Sequence, residues 1–278
     1  MKCGSLRNKL LIKISTMKKN KSLILILAAS ISGLLWSCSK TTPLENIAVT
    51  SDPTGSAFIK IVHFSPAFRL VTSKSDSLNI FLNGTKLNGS FLTFGSLFPS
   101  TTNLYAAIPA GAATIKLSNA GVNTPDSIAV VSLSKTLEAG KYYSLIITDS
   151  ILNSNSNKQI FTQDNFVLSD TNTFTMRFVH AILNDTAGKN IDVYSTRRAG
   201  NIFSNISPGT VTDFNAQPYN FITDTIIVRR ASSTFELARF STAANPLARQ
   251  RAYTLIYKGT PSTTAAPKGR SLATFANQ

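Results

Sequence analysis

The chain contains few of the side chains on which most enzymes and metal sites depend. Its 278 residues include two cysteines, two histidines and 13 acidic residues. Both cysteines, Cys3 and Cys38, precede the main body of the chain, so the body holds neither a disulfide framework nor a cysteine metal site. Zinc-protease, nucleophile-elbow, phosphate-loop and dinucleotide motifs are also missing. We therefore predict no cofactor, no metal site and no catalytic residue.

Acidic residues are scarce enough to give a formal net charge of +15. Residues 1–37 hold seven of the 28 basic residues and no acidic one, so the remainder carries 21 basic and 13 acidic residues, a net charge of +8. A strongly basic domain is typical of nucleic-acid binding. Because much of this excess belongs to a targeting segment, we predict no nucleic-acid partner.

The N-terminal segment has the layout of an export signal. A basic stretch at residues 18–21 precedes an apolar run at residues 22–35. That run is short for a membrane span, which needs about 20 residues. We predict a signal peptide at residues 1–37, with Met17 as an alternative start.

The end of this signal carries a lipid-attachment motif. Leu35-Trp36-Ser37-Cys38 resembles the lipobox of bacterial lipoproteins. The resemblance implies that the thiol of Cys38 is acylated and that Cys38 becomes the new N-terminus. Residues 38–56 are rich in Ser, Thr and Pro, which predicts a flexible tether. The alternative is an uncleaved signal anchor ending in a buried cysteine.

The body of the chain contains two copies of one sequence unit. The segment from Phe58 to His63 recurs from Thr175 to His180, with the basic, aliphatic and His positions in register. Three further matches follow in the same order: residues 114–117 with 225–228, residues 143–147 with 253–257, and Lys158 with Lys268. The order of the matches indicates tandem domains at residues 57–170 and 174–278.

Both copies have the sequence pattern of short β-strands. Residues 78–82 end in Asn83-Gly84, a dipeptide typical of type I′ hairpin turns. Residues 191–194 alternate in the corresponding place of the second copy, and neither copy shows sustained helical periodicity. We predict an all-β fold of two tandem antiparallel β-sandwich domains, Ig-like or transthyretin-like.

Several motifs of the first copy also match a known family. His63 to Ala67, Asn79 to Gly84, Ile108 to Gly111 and Lys141 to Ile146 resemble the family called domain of unknown function 4397. The second copy matches in part, since Gln217-Pro-Tyr-Asn replaces the Pro-Ala-Gly turn. The resemblance implies an exported, often lipid-anchored β-sandwich and no established activity.

The two histidines, His63 and His180, occupy equivalent positions in separate copies. One interpretation is a ligand-facing imidazole at the end of each strand. The other is a structural histidine hydrogen-bonded to a neighbouring loop, for which Ser65-Pro66 is a candidate. We favour the structural interpretation because it explains why the histidine recurs.

Arginine is concentrated in the second copy. Residues 174–278 carry a net charge of +7 and nine arginines, whereas residues 57–170 carry +2 and one arginine. Guanidinium groups pair well with carboxylate and phosphate, so an anionic glycan or an acidic envelope protein is a candidate partner. The candidate contacts are Arg197, Arg198, Arg229 and Arg230. The alternative is a set of solvated charges without a common face.

Five of the ten aspartates precede Ser or Thr and then an aliphatic or small residue, a pattern similar to the O-glycosylation motif of exported Bacteroidetes proteins. The candidate sites are Ser77, Ser127, Ser150, Thr186 and Thr225. Ordinary β-turn chemistry is the alternative explanation, because aspartate before a hydroxyl residue favours turns.

The function that these patterns favour is non-catalytic. We predict a lipid-anchored protein of the cell envelope, at the outer membrane, that binds a glycan or protein partner or acts as a spacer. The alternative is an envelope glycan hydrolase with two carboxylates, for which Asp164, Asp170 and Asp213 are candidates.

Overall fold

The structure is a computed structural model that describes residues 53–66, 76–100, 105–119, 129–148, 159–167, 171–185, 189–219, 223–261 and 268–278. These residues form strands and loops apart from one 3-10 turn at Pro53–Gly55. The first half holds β1 (Ser56–His63), β2 (Leu78–Leu82), β3 (Thr85–Lys86), β4 (Leu97–Phe98), β5 (Ala106–Pro109), β6 (Gly111–Asn119), β7 (Ala129–Leu137), β8 (Tyr142–Ile147) and β9 (Ile160–Gln163). The second half holds β10 (Thr173–His180), β11 (Ile191–Ser195), β12 (Gly200–Ile206), β13 (Asn215–Pro218), β14 (Thr225–Arg230), β15 (Glu236–Ser241), β16 (Ala252–Lys258) and β17 (Ser271–Ala276). The predicted all-β fold is confirmed.

Each half contains two sheets, and each sheet draws its strands from one half alone. In the first half the orders are β4-β1-β8-β9, with β5 also on β1, and β3-β2-β6-β7. In the second half they are β13-β10-β16-β17 and β12-β11-β14-β15. Buried side chains from both sheets of a half form one apolar core, which makes each half a β-sandwich.

The same pairings recur in the two halves. β1 pairs with β8 in parallel and places His63 opposite Ile147, while β10 pairs with β16 in parallel and places His180 opposite Tyr257. The remaining pairs between the named strands are antiparallel. The expectation of purely antiparallel sheets therefore misses one parallel pair in each half.

The hairpin between β2 and β3 has the predicted turn. Asn83 and Gly84 both have positive φ, 49° and 87°, as a type I′ turn requires. The equivalent connection between β11 and β12 is longer and comprises residues 196–199. The sheets that contain these two hairpins, β3-β2-β6-β7 and β12-β11-β14-β15, therefore differ in the length of this turn.

One sheet of each half is buried on both faces. In β1, Ile59 and Ile61 face the core of the first sandwich, whereas Val62 belongs to a separate cluster shared by the two halves. We call this cluster the inter-sandwich interface; it consists of Val62, Phe64, Ile146, Ile160, Val179, Ala181, Ile256 and Phe275. Apolar burial of this kind stabilises by about 25 cal/mol per Å², so this cluster stabilises the contact between the two sandwiches.

The interface has approximate two-fold character. Pairing registers make Val62 equivalent to Val179 and Ile146 equivalent to Ile256, and all four side chains are fully buried in it. Each half therefore contributes the same face of the same sheet.

Candidate ligand cleft

A cleft of about 450 Å³ opens at one end of the second sandwich, between its two sheets. Its apolar wall includes Phe174, Met176, Ile202, Ile226 and Leu247, and its polar groups include Arg197, Arg198, Gln217, Tyr219 and Asp224. A concave site with an apolar wall and a few polar groups is the usual form of a small-ligand site.

The turn that carries the two arginines is fixed by a carboxylate. Asp224 Oδ2 accepts a hydrogen bond from the Ser195 hydroxyl at 2.5 Å, and Oδ1 accepts from the backbone N–H of Arg197 at 3.0 Å. The Thr196 hydroxyl also donates to Oδ1, at 3.0 Å. The side chains of Arg197 and Arg198 are exposed at the cleft. These hydrogen bonds fix the backbone of the turn, which therefore presents two guanidinium groups that can pair with an anion.

The equivalent end of the first sandwich is built differently. Ile108 of β5 pairs with Ala57, as Gln217 of β13 pairs with Phe174, so isoleucine stands where the cleft has glutamine. Ile108 is buried in the first core. The shorter turn at Asn83-Gly84 also carries no arginine there. The second copy therefore combines a polar wall residue with a longer, basic turn.

The four candidate arginines form two separated pairs. In the pairing of β11 with β14, Ser195 lies opposite Ile226 at one end and Ile191 lies opposite Arg230 at the other. Arg197 and Arg198 follow the first end, and Arg229 and Arg230 lie at the second. With about 3.4 Å per residue, the two pairs stand on the order of 13 Å apart along the sheet and do not form one site.

The second pair packs on aromatic rings. The Arg229 guanidinium lies 3.7 Å from the centre of the Tyr194 ring, and that of Arg230 lies 4.1 Å from the centre of the Phe235 ring. Phe235 itself is 52% exposed. Cation–π contacts of this kind hold guanidinium groups on a sheet surface.

His63 has the structural role that the sequence favours. The imidazole is fully buried, its Nε2 donates to the Asp76 carbonyl oxygen at 3.0 Å, and its Nδ1 accepts from the Ser65 N–H at 3.4 Å. Burial lowers the pKa of His63 from 6.5 to about 4. His180 is also fully buried, edge-on to Tyr257. Neither imidazole faces the cleft.

A buried polar cluster crosses the inter-sandwich interface; its members are Lys60, Tyr105, Ser144, Asp164, Arg177, Thr254 and Asn277. Asp164 is its centre, since Oδ2 accepts from Tyr105 and Ser144, each at 2.6 Å, and Oδ1 lies 2.6 Å from Arg177 Nη2. The sequence does not predict this cluster. Its one sequence signal is the basic residue that recurs in register in β1 and β10, which are otherwise apolar.

Three aspartates of the Asp-Ser/Thr pattern make defined structural contacts. Asp76 forms an ion pair with Lys268, and Asp185 forms one with Arg270 at 2.7 Å. Asp224 holds the basic turn at the cleft. Of the candidate glycosylation sites, Ser77 and Thr225 are partly exposed, whereas Ser127, Ser150 and Thr186 lie outside the described residues. Cys38 and the signal peptide lie outside them as well.

The described residues offer neither a metal site nor a membrane-spanning helix. They contain no group of three or more His, Cys, Asp or Glu side chains placed to hold a metal ion. Within the same part of the chain, no helix has the length and apolar character to cross a membrane.

Comparison with known proteins relates the first part of the chain to one family. Residues 57–194 match the model of the family described as domain of unknown function (DUF4397), which confirms the resemblance seen in the sequence. The chain matches no curated protein. Among solved structures it is similar to a candidate polysaccharide-binding protein (DUF1812) from Bacteroides thetaiotaomicron, at 11% identity and a TM-score of 0.20, over 80% of this chain and 96% of that one. The segment that matches the DUF4397 model thus begins at the second residue of β1 and ends one residue before the end of β11, so it covers nearly all of the first sandwich and the start of the second.

Proposed function

We propose that this chain is a non-catalytic, lipid-anchored binding protein of the cell envelope, and that the cleft of its second sandwich holds an anionic glycan. The observation that carries the proposal is the pair Arg197 and Arg198, presented at an apolar-walled cleft by a turn that Asp224 fixes. Guanidinium groups suit the carboxylates of acidic sugars, and the aromatic residues Tyr219 and Phe174 line the same cleft, where a sugar can contact them.

The lining of the cleft favours binding over hydrolysis. A glycan hydrolase uses two carboxyl groups about 5–10 Å apart. The described lining contains one carboxylate, Asp224, and its oxygens already accept from the basic turn. Asp164 lies buried in the interface, paired with Arg177, and Asp213 is exposed outside the lining. Asp170 lies outside the described residues.

Titration calorimetry of the full chain with a polyuronate oligosaccharide tests the proposal. We expect the double substitution Arg197→Gln and Arg198→Gln to weaken binding by about tenfold or more, or about 1.4 kcal/mol. The matched control is Arg229→Gln with Arg230→Gln, which removes the same charge at the other end of the sheet. If both double variants weaken the affinity equally, binding depends on net charge alone, and this result would contradict the proposal.

The envelope anchor has its own test. Because Cys38 is the acylation point that the lipobox implies, Cys38→Ala is expected to abolish incorporation of an alkyne fatty acid. The control is Cys3→Ala, which leaves the lipobox intact. Equal labelling of the Cys38 variant and the native chain would remove the anchor from the proposal.

A further inference from the structure

Two basic residues of the buried polar cluster reach across the interface in equivalent ways. Lys60 and Arg177 occupy the same position in β1 and β10, and each contacts the other half at the end of its last strand or at the residue after it. Arg177 meets Asp164, which follows β9. Lys60 Nζ donates to the Ala276 carbonyl oxygen at 2.5 Å, directly before Asn277, the equivalent of Asp164. The approximate symmetry thus brings an amine to the strand end that precedes an amide, where the other side pairs a guanidinium with a carboxylate.

We propose that Lys60 and Asn277 form an intramolecular isopeptide bond that links the first strand of one sandwich to the segment after the last strand of the other. Both residues are buried, at 0% and 2% exposure, so water is excluded from the reacting groups. Lys60 Nζ also lies 4.5 Å from the centre of the Tyr105 ring, and the Tyr105 hydroxyl contacts Asn277 Nδ2 at 2.7 Å.

The reaction needs no oxidant and no co-reactant. The neutral Nζ of Lys60 attacks Cγ of Asn277, the Nζ–Cγ bond forms and the Cγ–Nδ2 bond breaks. One proton passes from Nζ to Nδ2, and ammonia leaves. The product is a secondary amide with one nitrogen and three hydrogens fewer than the two starting side chains.

The cluster supplies a group for each part of this step. The Thr254 hydroxyl donates to Asn277 Oδ1 at 2.6 Å, where negative charge develops during attack. Asp164 Oδ2 lies 3.3 Å from Asn277 Nδ2, in place to carry the proton to the leaving nitrogen. Burial, as the largest cause, lowers the pKa of Lys60 to about 8, so a share of the amine is neutral near neutral pH.

Peptide mapping of the purified full chain tests the bond. Trypsin cleaves after Arg270 and releases residues 271–278, and it cleaves after Lys60 when that amine is free. In the cross-linked chain we expect residues 271–278 to be joined to an uncleaved peptide that spans Lys60, with a mass lower by one ammonia, about 17 Da. Free peptide 271–278 in full yield would overturn the proposal. A loss of about 18 Da, which is one water, would overturn the assignment to Asn277.

Substitutions distinguish loss of the isopeptide bond from loss of the folded structure. Lys60→Arg keeps the buried charge and removes the nucleophile, and Asn277→Ala removes the electrophile, so each is expected to abolish the joined peptide. Asp164→Asn is expected to reduce its yield at least tenfold in chain that still folds by circular dichroism. The matched control is Lys258→Arg, at another largely buried lysine whose Nζ donates to the Ser271 hydroxyl, and it should leave the joined peptide intact. If Lys258→Arg also abolishes the joined peptide, the loss reflects misfolding of the chain, and this result would contradict the assigned chemistry.

Discussion

Arg177 and Asp164 form an ion pair across the interface between the two sandwiches, with 2.6 Å between Nη2 and Oδ1 and side-chain exposures of 2% and 0%. The Arg177 Nε also donates to the Thr254 hydroxyl at 2.9 Å, and its guanidinium lies 4.6 Å from the centre of the Phe214 ring. A buried charge needs an oppositely charged partner, because an unpaired charge in the protein interior has no interaction to offset its desolvation cost. The orientation of the two sandwiches therefore rests on polar contacts as well as on apolar packing.

The first prediction concerns this ion pair. Arg177→Met leaves the Asp164 carboxylate buried and unpaired, so we expect the free energy of unfolding to fall by about 3–5 kcal/mol. Urea denaturation at neutral pH measures it. The control is Arg239→Gln, which breaks the exposed pair with Glu236 and should change little. If Arg177→Met changes the free energy of unfolding only slightly, the interface does not exclude water from the ion pair, which contradicts the prediction.

The second prediction concerns pH and His63. Burial lowers the pKa of His63 to about 4 in the folded chain, against 6.5 as its ordinary value. Between these values the unfolded chain binds a proton that the folded chain does not, so stability falls as the pH falls from 6.5 through 4. The full loss approaches about 3 kcal/mol, at 1.36 kcal/mol for each pKa unit.

Urea denaturation near neutral pH and near pH 5 measures this loss. His63→Asn removes the titrating group, so the drop in stability on acidification should be smaller in the variant by about 2 kcal/mol. His180 is present in both proteins and cancels in the comparison. An identical drop in native chain and variant would contradict the prediction.

The third prediction concerns Gly259, the residue that follows β16. Its φ is +110°, and an added Cβ would lie 2.1 Å from the Gly269 carbonyl oxygen. Gly259→Ala therefore combines a steric clash with a strained backbone, which alone costs about 1–3 kcal/mol. We expect a fall in melting temperature of several degrees in a thermal scan. Gly89→Ala, where a Cβ meets nothing within 4 Å, should leave the melting temperature within about a degree.

The sequence predicts the strands, the repeat and the Asn83-Gly84 hairpin because these follow from local chemistry and from order along the chain. It does not predict the face-to-face packing of the two sandwiches. In β1 the outward residues Lys60 and Val62 alternate with core residues, and a lysine in that place is typical of a solvent-facing position. Its burial depends on contacts with residues more than 200 positions away, such as Ala276.

The candidate site could be predicted in part. The excess of arginine marks the half that contains the cleft, and Arg197 and Arg198 lie at the cleft. Arg229 and Arg230 lie elsewhere, because the antiparallel pairing of β11 with β14 sends them to the other end of the sheet. The cleft also depends on Gln217 and on a four-residue turn, and nothing in the composition distinguishes these positions.

The most direct test of the central claim, that ligand binds in the cleft, is to fill the cleft without changing its charge. Ala243 is exposed and lines the cleft, whereas its neighbour Ala244 is exposed and does not. Affinity for a polyuronate oligosaccharide should fall by about tenfold or more in Ala243→Trp, which corresponds to about 1.4 kcal/mol, and should be unchanged in Ala244→Trp. Native affinity in both variants would contradict the claim.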